Sequence, residues 1–198
     1  MSLSHPGKGL RGPIADLFLR LHELPPEDAE AAVRRAAIEG PTVVLSACLA
    51  GIPCRYDGAS KGLGDLGVRL GRLIPIPLCP EVLAGLGTPR SPMGFVGGDG
   101  EAALAGRAVL ADAEGRDCTP ALRLAVAHGL HLARAAGCRV ALLKARSPSC
   151  GVGETSSRSG VIPGHGMFAA ALIGAGLQVI TDEDPAGIAQ LDPAALIR

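Results

Sequence analysis

The sequence predicts an α/β fold with an open, mostly parallel sheet, helices on both faces and an N-terminal helical hairpin. Short β-branched segments alternate with segments of helical length, as in chains built from βαβ units. The segment 42–46, TVVLS, is apolar without alternation, which is typical of a strand buried on both faces. Hydrophobic residues make up 47% of the 198 residues, so a substantial core forms without disulfides. These observations predict a Rossmann-like architecture.

The first 40 residues differ from the rest of the chain. Apolar side chains recur at helical spacing over residues 14–24, and a Pro-Pro pair ends that pattern. An Ala-, Glu- and Arg-rich segment over 27–39 predicts a second helix, which ends at a Gly-Pro pair. We therefore expect an N-terminal helical extension over residues 1–40, followed by an α/β domain over residues 41–198.

Within the α/β domain, four strands and four further helices are expected. The predicted strands are 42–46, 74–78, 139–143 and 177–180. The predicted helices are 63–73, 120–136, 167–174 and 185–197. The segments 88–100 and 144–164 are rich in Gly, Pro and Ser and are predicted to be loops, with a short excursion over 107–111.

Composition excludes several function classes. The chain carries 19 basic and 19 acidic side chains, so it has no basic footprint for nucleic acid or for a membrane surface. Aromatic residues make up only 2%, too few for a platform that stacks bases. No apolar run approaches the ~18 residues of a membrane span, and the N-terminus shows no secretory pattern. We therefore expect a cytoplasmic protein whose cysteines are reduced.

Three cysteines follow three predicted strands. Cys48 lies just beyond the first strand, Cys79 directly after the second, and Cys150 in the loop after the third. Because ligands bind at the carboxyl ends of the strands in an open parallel sheet, we expect these thiols to converge at one edge. Converging thiolates indicate zinc or an iron–sulfur cluster. No CxxC pair is present, and Cys54 and His165 are the candidates for a fourth ligand.

The segments around these cysteines match a known family. SACLAGIPCRYDG (46–58), CPEVLAGLGTPR (79–90) and KARSPSCG (144–151) together resemble the DUF523 family, whose characterised branch is the thiouracil desulfidases. The segments 96–108 and 114–121 also resemble that family in order and spacing. The resemblance covers about residues 42–184, so it leaves the hairpin outside.

The resemblance implies a cofactor and a reaction. It implies a 4Fe–4S cluster held by Cys48, Cys79 and Cys150, with one iron that has no protein ligand and binds the substrate sulfur. The expected substrate is a small thiolated nucleobase similar to 2-thiouracil, whose sulfur is replaced by oxygen from water with release of sulfide. Cys118 and Cys138 are interpreted as structural, and Cys54 as an accessory thiol.

Side chains next to the cysteines suit this chemistry. Glu81, two residues after Cys79, is the expected general base. Ser147 and Ser149 flank Pro148 and are expected to donate hydrogen bonds to the substrate or the cluster. The residues expected to bind substrate are Arg55, Tyr56, Asp57 and Lys144.

Two other functions are compatible with the cysteines. One is an iron–sulfur or zinc module that senses iron or redox state without turnover, and the other is a sulfurtransferase with a persulfide on Cys54 or Cys150. The chain also lacks the YDG-T-F element that commonly follows SPSCG in the family. The apolar face of the hairpin leaves a homodimer as a possible assembly.

Overall fold

In the part of the chain that the structure describes, eight short strands form two separate sheets. The computed structural model describes residues 12–65 and 70–191 of the chain. The strands are β1 (Thr42–Ser46), β2 (Ile74–Leu78), β3 (Met93–Val96), β4 (Val109–Asp112), β5 (Val140–Leu143), β6 (Glu154–Ser157), β7 (Gly160–Pro163) and β8 (Gln178–Thr181). The helices are α1 (Pro13–Glu23), α2 (Pro26–Glu39), α3 (Pro80–Leu83), α4 (Gly100–Leu104), α5 (Thr119–Ala135), α6 (Met167–Gly174) and α7 (Pro185–Ala189), and a 3-10 turn spans Ala47–Ala50.

The first sheet is entirely parallel and has the order β2-β1-β5-β8. Alternate residues of its strands enter two cores. Val44, Ala141 and Leu143 pack with α2, α5 and α6 on one face. Val43 and Leu142 pack on the other face with residues of α1 and α7. The predicted α/β class, with a parallel sheet covered by helices on both faces, is confirmed.

The second sheet replaces two predicted loops. Its order is β4-β3-β6-β7, with β3–β4 and β6–β7 antiparallel and β3–β6 parallel. The interpretation of 88–100 and 144–164 as loops was therefore wrong, because β3 lies in the first segment and β6 and β7 in the second. These strands are four residues long and rich in Gly and Ser, so they lack a hydrophobic alternation. At Gly94 a Cβ atom would lie 2.6 Å from the carbonyl carbon of Ser157, so glycine permits the two strands to pair.

Two predicted helices extend beyond the described residues. The helix expected over 63–73 includes residues 66–69, which lie outside the described ranges, and Leu70 alone is helical among its described residues. The tail expected over 185–197 is helical as α7, and residues 192–198 lie outside the described part. No helix within 12–65 and 70–191 has the length and apolar composition to cross a membrane.

The helical hairpin packs along the edge of the parallel sheet. Leu21 of α1 belongs to the core on one face of the sheet, and Phe18 belongs to the core on the other face. Both side chains are about 1% exposed. Helix α1 therefore covers the free edge of β2. The division of the chain into an extension (1–40) and a domain (41–198) stays a prediction, while the described hairpin residues share both cores with the sheet.

The turn that follows β5 packs closely on the start of α6. A Cβ atom on Gly166 would lie 2.5 Å from the carbonyl carbon of Ser149 and 2.7 Å from the nitrogen of Cys150. Glycine at position 166 therefore permits the close contact between α6 and the backbone that carries Cys150. At Gly174, the other end of α6, nothing lies within 4 Å of an added Cβ.

This contact predicts different effects for two similar substitutions. Gly166→Ala is expected to lower the free energy of unfolding by about 2–3 kcal/mol, because the backbone of the Cys150 turn must move. Gly174→Ala is expected to raise it by up to about 1 kcal/mol, because alanine favours the helix. Urea unfolding of the reduced protein measures both values, and equal values for the two variants would contradict the close packing.

Candidate active site

A cavity of about 270 Å³ lies at the carboxyl ends of β1, β2 and β5. The three strand-end cysteines, Cys48, Cys79 and Cys150, all line it. Glu81, Ser147, Ser149, Arg55, Tyr56 and Lys144 line the same cavity. Asp57 is not part of the cavity lining, and neither is His165, whose Nδ1 accepts from the backbone nitrogen of Gly153 at 3.2 Å. The structure therefore brings together segments that are up to about a hundred residues apart in the chain.

Local hydrogen bonds hold the turns that carry Cys48 and Cys150. Cys48 lies in the 3-10 turn after β1, and its carbonyl oxygen accepts from the backbone nitrogen of Lys61 at 2.9 Å. In the turn after β5, the Ser147 hydroxyl oxygen accepts from the backbone nitrogens of Ser149 and Cys150, both at 3.2 Å. Ser147 thus acts on the backbone of a cysteine turn, a role that its expected contact with substrate did not include.

Cys79 is held by backbone contacts on both sides. It lies directly after β2 and precedes α3, and its carbonyl oxygen accepts from the nitrogens of Val82 at 3.1 Å and Leu83 at 3.0 Å. Its own backbone N–H donates to Nε2 of His22, at 3.1 Å. His22 was not predicted to be near the site, since it lies on α1.

Cys54 brings a fourth thiol into the cavity. It is 1% exposed, and the Cys79 thiol lies 3.7 Å from its carbonyl oxygen. The neighbouring thiols of Cys48 and Cys79, together with burial, raise the pKa of Cys54. A hydrogen bond from Cys54 conversely lowers the pKa of Cys79. The structure therefore favours a protonated Cys54 beside a Cys79 that ionises more readily.

Burial is the main influence on the pKa of the Cys150 thiol. It raises the pKa of this thiol well above the ordinary value, while a hydrogen bond with the side chain of Ser46 acts in the opposite direction. Cys118 and Cys138 do not line the cavity. The Cys138 thiol donates to the hydroxyl of Thr42 at 3.3 Å, a contact within the core.

Glu81 is buried and bound through both carboxylate oxygens. The Ser149 hydroxyl donates to Oε1 at 2.9 Å, and Nε of Arg90 donates to Oε2 at 2.7 Å. Arg90 also contacts Oε2 through Nη2. The side chains of Arg90 and Glu81 are only 6% and 11% exposed. This charge-assisted pair fixes the position of the carboxylate next to Cys79.

Arg90 also connects its own loop with the segment that carries Cys54. It donates to the carbonyl oxygens of Gly87 at 2.8 Å and Cys54 at 2.9 Å, and to the Thr88 hydroxyl at 3.2 Å. On the sequence alone Arg90 reads equally well as a surface charge, and its role was missed. The available signal was its place at the end of CPEVLAGLGTPR, a motif that begins at Cys79.

Basic side chains surround the cavity mouth. Arg55 pairs with Asp57 at 3.0 Å, and Asp57 also accepts from the backbone nitrogen of Ala59, so Asp57 orients Arg55 and shapes the turn. Tyr56 is 46% exposed. Burial, with Lys61 and Arg55 nearby, lowers the pKa of Lys144. These groups offer polar contacts to a ligand that enters the cavity.

The donor set suits an iron–sulfur cluster. Soft thiolates are the protein ligands of such clusters, and the cations around the cavity offset the negative charge that a thiolate-bound cluster carries. Within 12–65 and 70–191, no group of three His, Cys, Asp or Glu side chains is arranged to hold a metal ion, so the fit to a cluster rests on the type of donor and on the shared cavity rather than on a preformed coordination geometry.

The model of the 2-thiouracil desulfurase family matches residues 43–184, which is most of the chain and all of the cavity-lining segments. The chain belongs to the 2-thiouracil desulfurase family. The resemblance to DUF523 predicted from the three motifs is confirmed. The match begins at β1, so α1 and α2 precede it.

Two family relatives resemble the chain closely. The uncharacterised protein YbbK of Bacillus subtilis (strain 168) is 36% identical over 145 residues, which cover 72% of this chain and 96% of that protein. The solved structure of the [4Fe-4S]-dependent thiouracil desulfidase TudS, a DUF523 protein, is 35% identical and has a TM-score of 0.63. That alignment covers 75% of this chain and 95% of TudS.

The buried Glu81–Arg90 pair predicts a non-additive effect on stability. Arg90→Met is expected to lower the free energy of unfolding by about 3–5 kcal/mol, because it leaves a buried carboxylate without its partner. Adding Glu81→Gln to that variant is expected to recover most of the loss. Urea unfolding of the four proteins of this double-mutant cycle, without cluster, gives the coupling energy.

The surface pair Arg34–Glu30 is the matched control. The Arg34 side chain is 62% exposed and lies one helical turn from Glu30, so Arg34→Met is expected to cost no more than about 0.5 kcal/mol. A double variant as unstable as Arg90→Met alone would show that the buried charges are not coupled.

Proposed function

We propose that the protein is an iron–sulfur-dependent desulfidase that removes the sulfur of a small thiolated nucleobase similar to 2-thiouracil. Water replaces the sulfur by oxygen, and sulfide is released. Membership of the 2-thiouracil desulfurase family and similarity to TudS support this proposal. The observation that carries it is the presence of Glu81 in the same small cavity as three cysteines from three strand ends.

In this proposal Cys48, Cys79 and Cys150 hold a 4Fe–4S cluster. When bound, the cluster supplies an iron without a protein ligand, which is a Lewis acid with affinity for a soft thiocarbonyl sulfur. In this proposal Cys54 is not a ligand and remains a thiol, because the neighbouring thiols of Cys48 and Cys79, together with burial, raise its pKa. The lowered pKa of Cys79 favours the thiolate that a ligand requires.

Glu81 acts as the general base that deprotonates water. A carboxylate has about four lone-pair sites, so the two oxygens that bind Ser149 and Arg90 still accept a hydrogen bond from water. Arg90 fixes the direction of the carboxylate, and Ser149, the residue before Cys150, donates a hydrogen bond to it. Hydrogen bonds therefore connect the general base Glu81 with Arg90 and with the turn that carries Cys150.

In this proposal, polar groups of the cavity bind the nucleobase. Lys144, Arg55 and Tyr56 line the cavity. In this proposal Lys144 and Arg55 donate hydrogen bonds to the oxygen or the ring nitrogens of the thiolated nucleobase, and Tyr56 offers an aromatic ring. Asp57 acts through Arg55 rather than on the substrate. Ser147 acts through the backbone of Ser149 and Cys150.

Cysteine substitutions test the ligand set. After anaerobic reconstitution with iron and sulfide, Cys48→Ala, Cys79→Ala and Cys150→Ala are each expected to lose the brown colour and the iron of the parent protein, since each variant lacks one ligand. Iron analysis and visible absorption measure this loss. Cys118→Ala and Cys138→Ala are the controls and should keep the cluster. Cys54→Ala should keep it as well, because Cys54 is not a ligand in this proposal.

A Glu81 variant separates the base from the cluster. Glu81→Gln is expected to retain the cluster but to lower sulfide release from 2-thiouracil by about 10²–10⁴-fold, the usual contribution of a general base. A colourless protein that binds one zinc, or a cluster protein that releases no sulfide from thiolated bases, would contradict the desulfidase. A sulfurtransferase would stay active without iron and would depend on one cysteine only.

A further inference from the structure

A histidine of the hairpin contacts the backbone of Cys79. Nδ1 of His22 lies 2.7 Å from the carbonyl oxygen of Phe18, so Nδ1 carries the proton and donates it to that oxygen. Nε2 is then the acceptor of this tautomer, and it lies 3.1 Å from the backbone nitrogen of Cys79. The ring also stacks on Phe18, with centroids 3.9 Å apart and planes at 29°. The imidazole is thus fixed by three contacts.

The topology of the sheet explains why Cys79 needs this partner. β2 is the edge strand of the parallel sheet, and its paired register with β1 ends at Leu78. The N–H of Cys79 lies beyond the last pair of that register, in a partly buried position where an unbonded donor is costly. Pro75 and Pro77 have no N–H, so the edge presents few donors and Cys79 is one of them.

We propose that His22 is a positioning residue, which holds the backbone of Cys79 so that its thiol points to the cluster site. Hydrogen bonds from α3 hold the carbonyl of Cys79, and His22 holds its N–H. With the backbone fixed on both sides, the direction of the thiol depends mainly on the χ1 torsion of Cys79. Loss of the His22 contact frees the residue that joins β2 to α3.

Through His22, the N-terminal hairpin contributes a residue that supports this site. The family match begins at residue 43, whereas His22 and Phe18 lie in α1. The chain thus adds a support for one cysteine from a segment outside that match. The inference rests on the proposed function in one respect, namely that Cys79 is a ligand of the cluster.

The first measurement needs no cluster. Amide hydrogen exchange by NMR in the reduced, cluster-free protein reports directly on the N–H of Cys79. In His22→Phe, which keeps a ring against Phe18 but has no acceptor, this amide is expected to exchange many-fold faster than in the parent. The amide of Ile76, within β2, is the internal reference. His22→Gln restores an acceptor on a side chain that reaches a similar distance, and is expected to recover much of the protection.

The second measurement uses the reconstituted protein. His22→Phe is expected to lose its cluster several-fold faster than the parent when an iron chelator is added, and to show a changed electron paramagnetic resonance spectrum after reduction. His22→Gln should lie close to the parent. Phe18→Leu is the matched control, because it weakens the packing of α1 but keeps the acceptor, and thermal unfolding shows how far each variant is destabilised.

Two results would overturn the proposal. One is an equally protected Cys79 amide in His22→Phe and the parent. The other is faster cluster loss in Phe18→Leu and His22→Phe alike, in proportion to their loss of stability, with no rescue by His22→Gln. If the parent protein takes up no cluster, the proposed function fails, while the exchange experiment still decides whether His22 holds Cys79.

Discussion

The parallel pairing of β1 with β2 and β5 is the constraint on which the site depends. β1 lies between the other two strands, so the carboxyl ends of all three strands meet at one edge of the sheet. Each strand is followed within a few residues by a cysteine, so the thiols converge although they are far apart in sequence. The apolar residues Val44, Leu45 and Leu142 are fully buried between helices and fix this alignment.

Elements outside the parallel sheet fix the direction of the groups that the sheet brings together. The second sheet supplies Thr155, whose hydroxyl donates to the carbonyl oxygen of Ser147 at 3.0 Å and so supports the Cys150 turn. Arg90 connects Glu81 with the carbonyl of Cys54, and His22 binds the backbone of Cys79. The strands thus determine which residues meet, and loops and hairpin determine how they are oriented.

The sequence predicts the parallel sheet because its strands include short apolar runs without alternation, which is typical of strands buried on both faces. It predicts the helices from apolar residues at helical spacing and from the Pro and Gly residues near their ends. It does not predict the second sheet, because β3 and β6 are only four residues long, lie in segments rich in Gly, Pro and Ser, and β6 is polar. Convergence of the cysteines follows from their positions after strands, which local sequence shows. The burial of Arg90 and the contact of His22 with Cys79 depend on other segments of the chain, and local composition indicates neither of them. For Arg90, the available signal is its place in the motif that begins at Cys79.

The balance of charge in the cavity explains the arrangement of its thiols. Glu81 is neutralised by Arg90 at close range and Arg55 pairs with Asp57, whereas the Lys144 ammonium donates to the carbonyl oxygen of Ala145 and adds a positive charge to the cavity lining. The Cys79 thiol lies 3.7 Å from the carbonyl oxygen of Cys54, and the pKa of Cys54 rises while that of Cys79 falls. In a small buried volume, one protonated thiol beside one thiolate has a lower electrostatic free energy than two thiolates side by side. This is a physical reason for Cys54 to lie beside Cys79 in the cavity, and it supports the proposal that Cys79, and not Cys54, is a ligand.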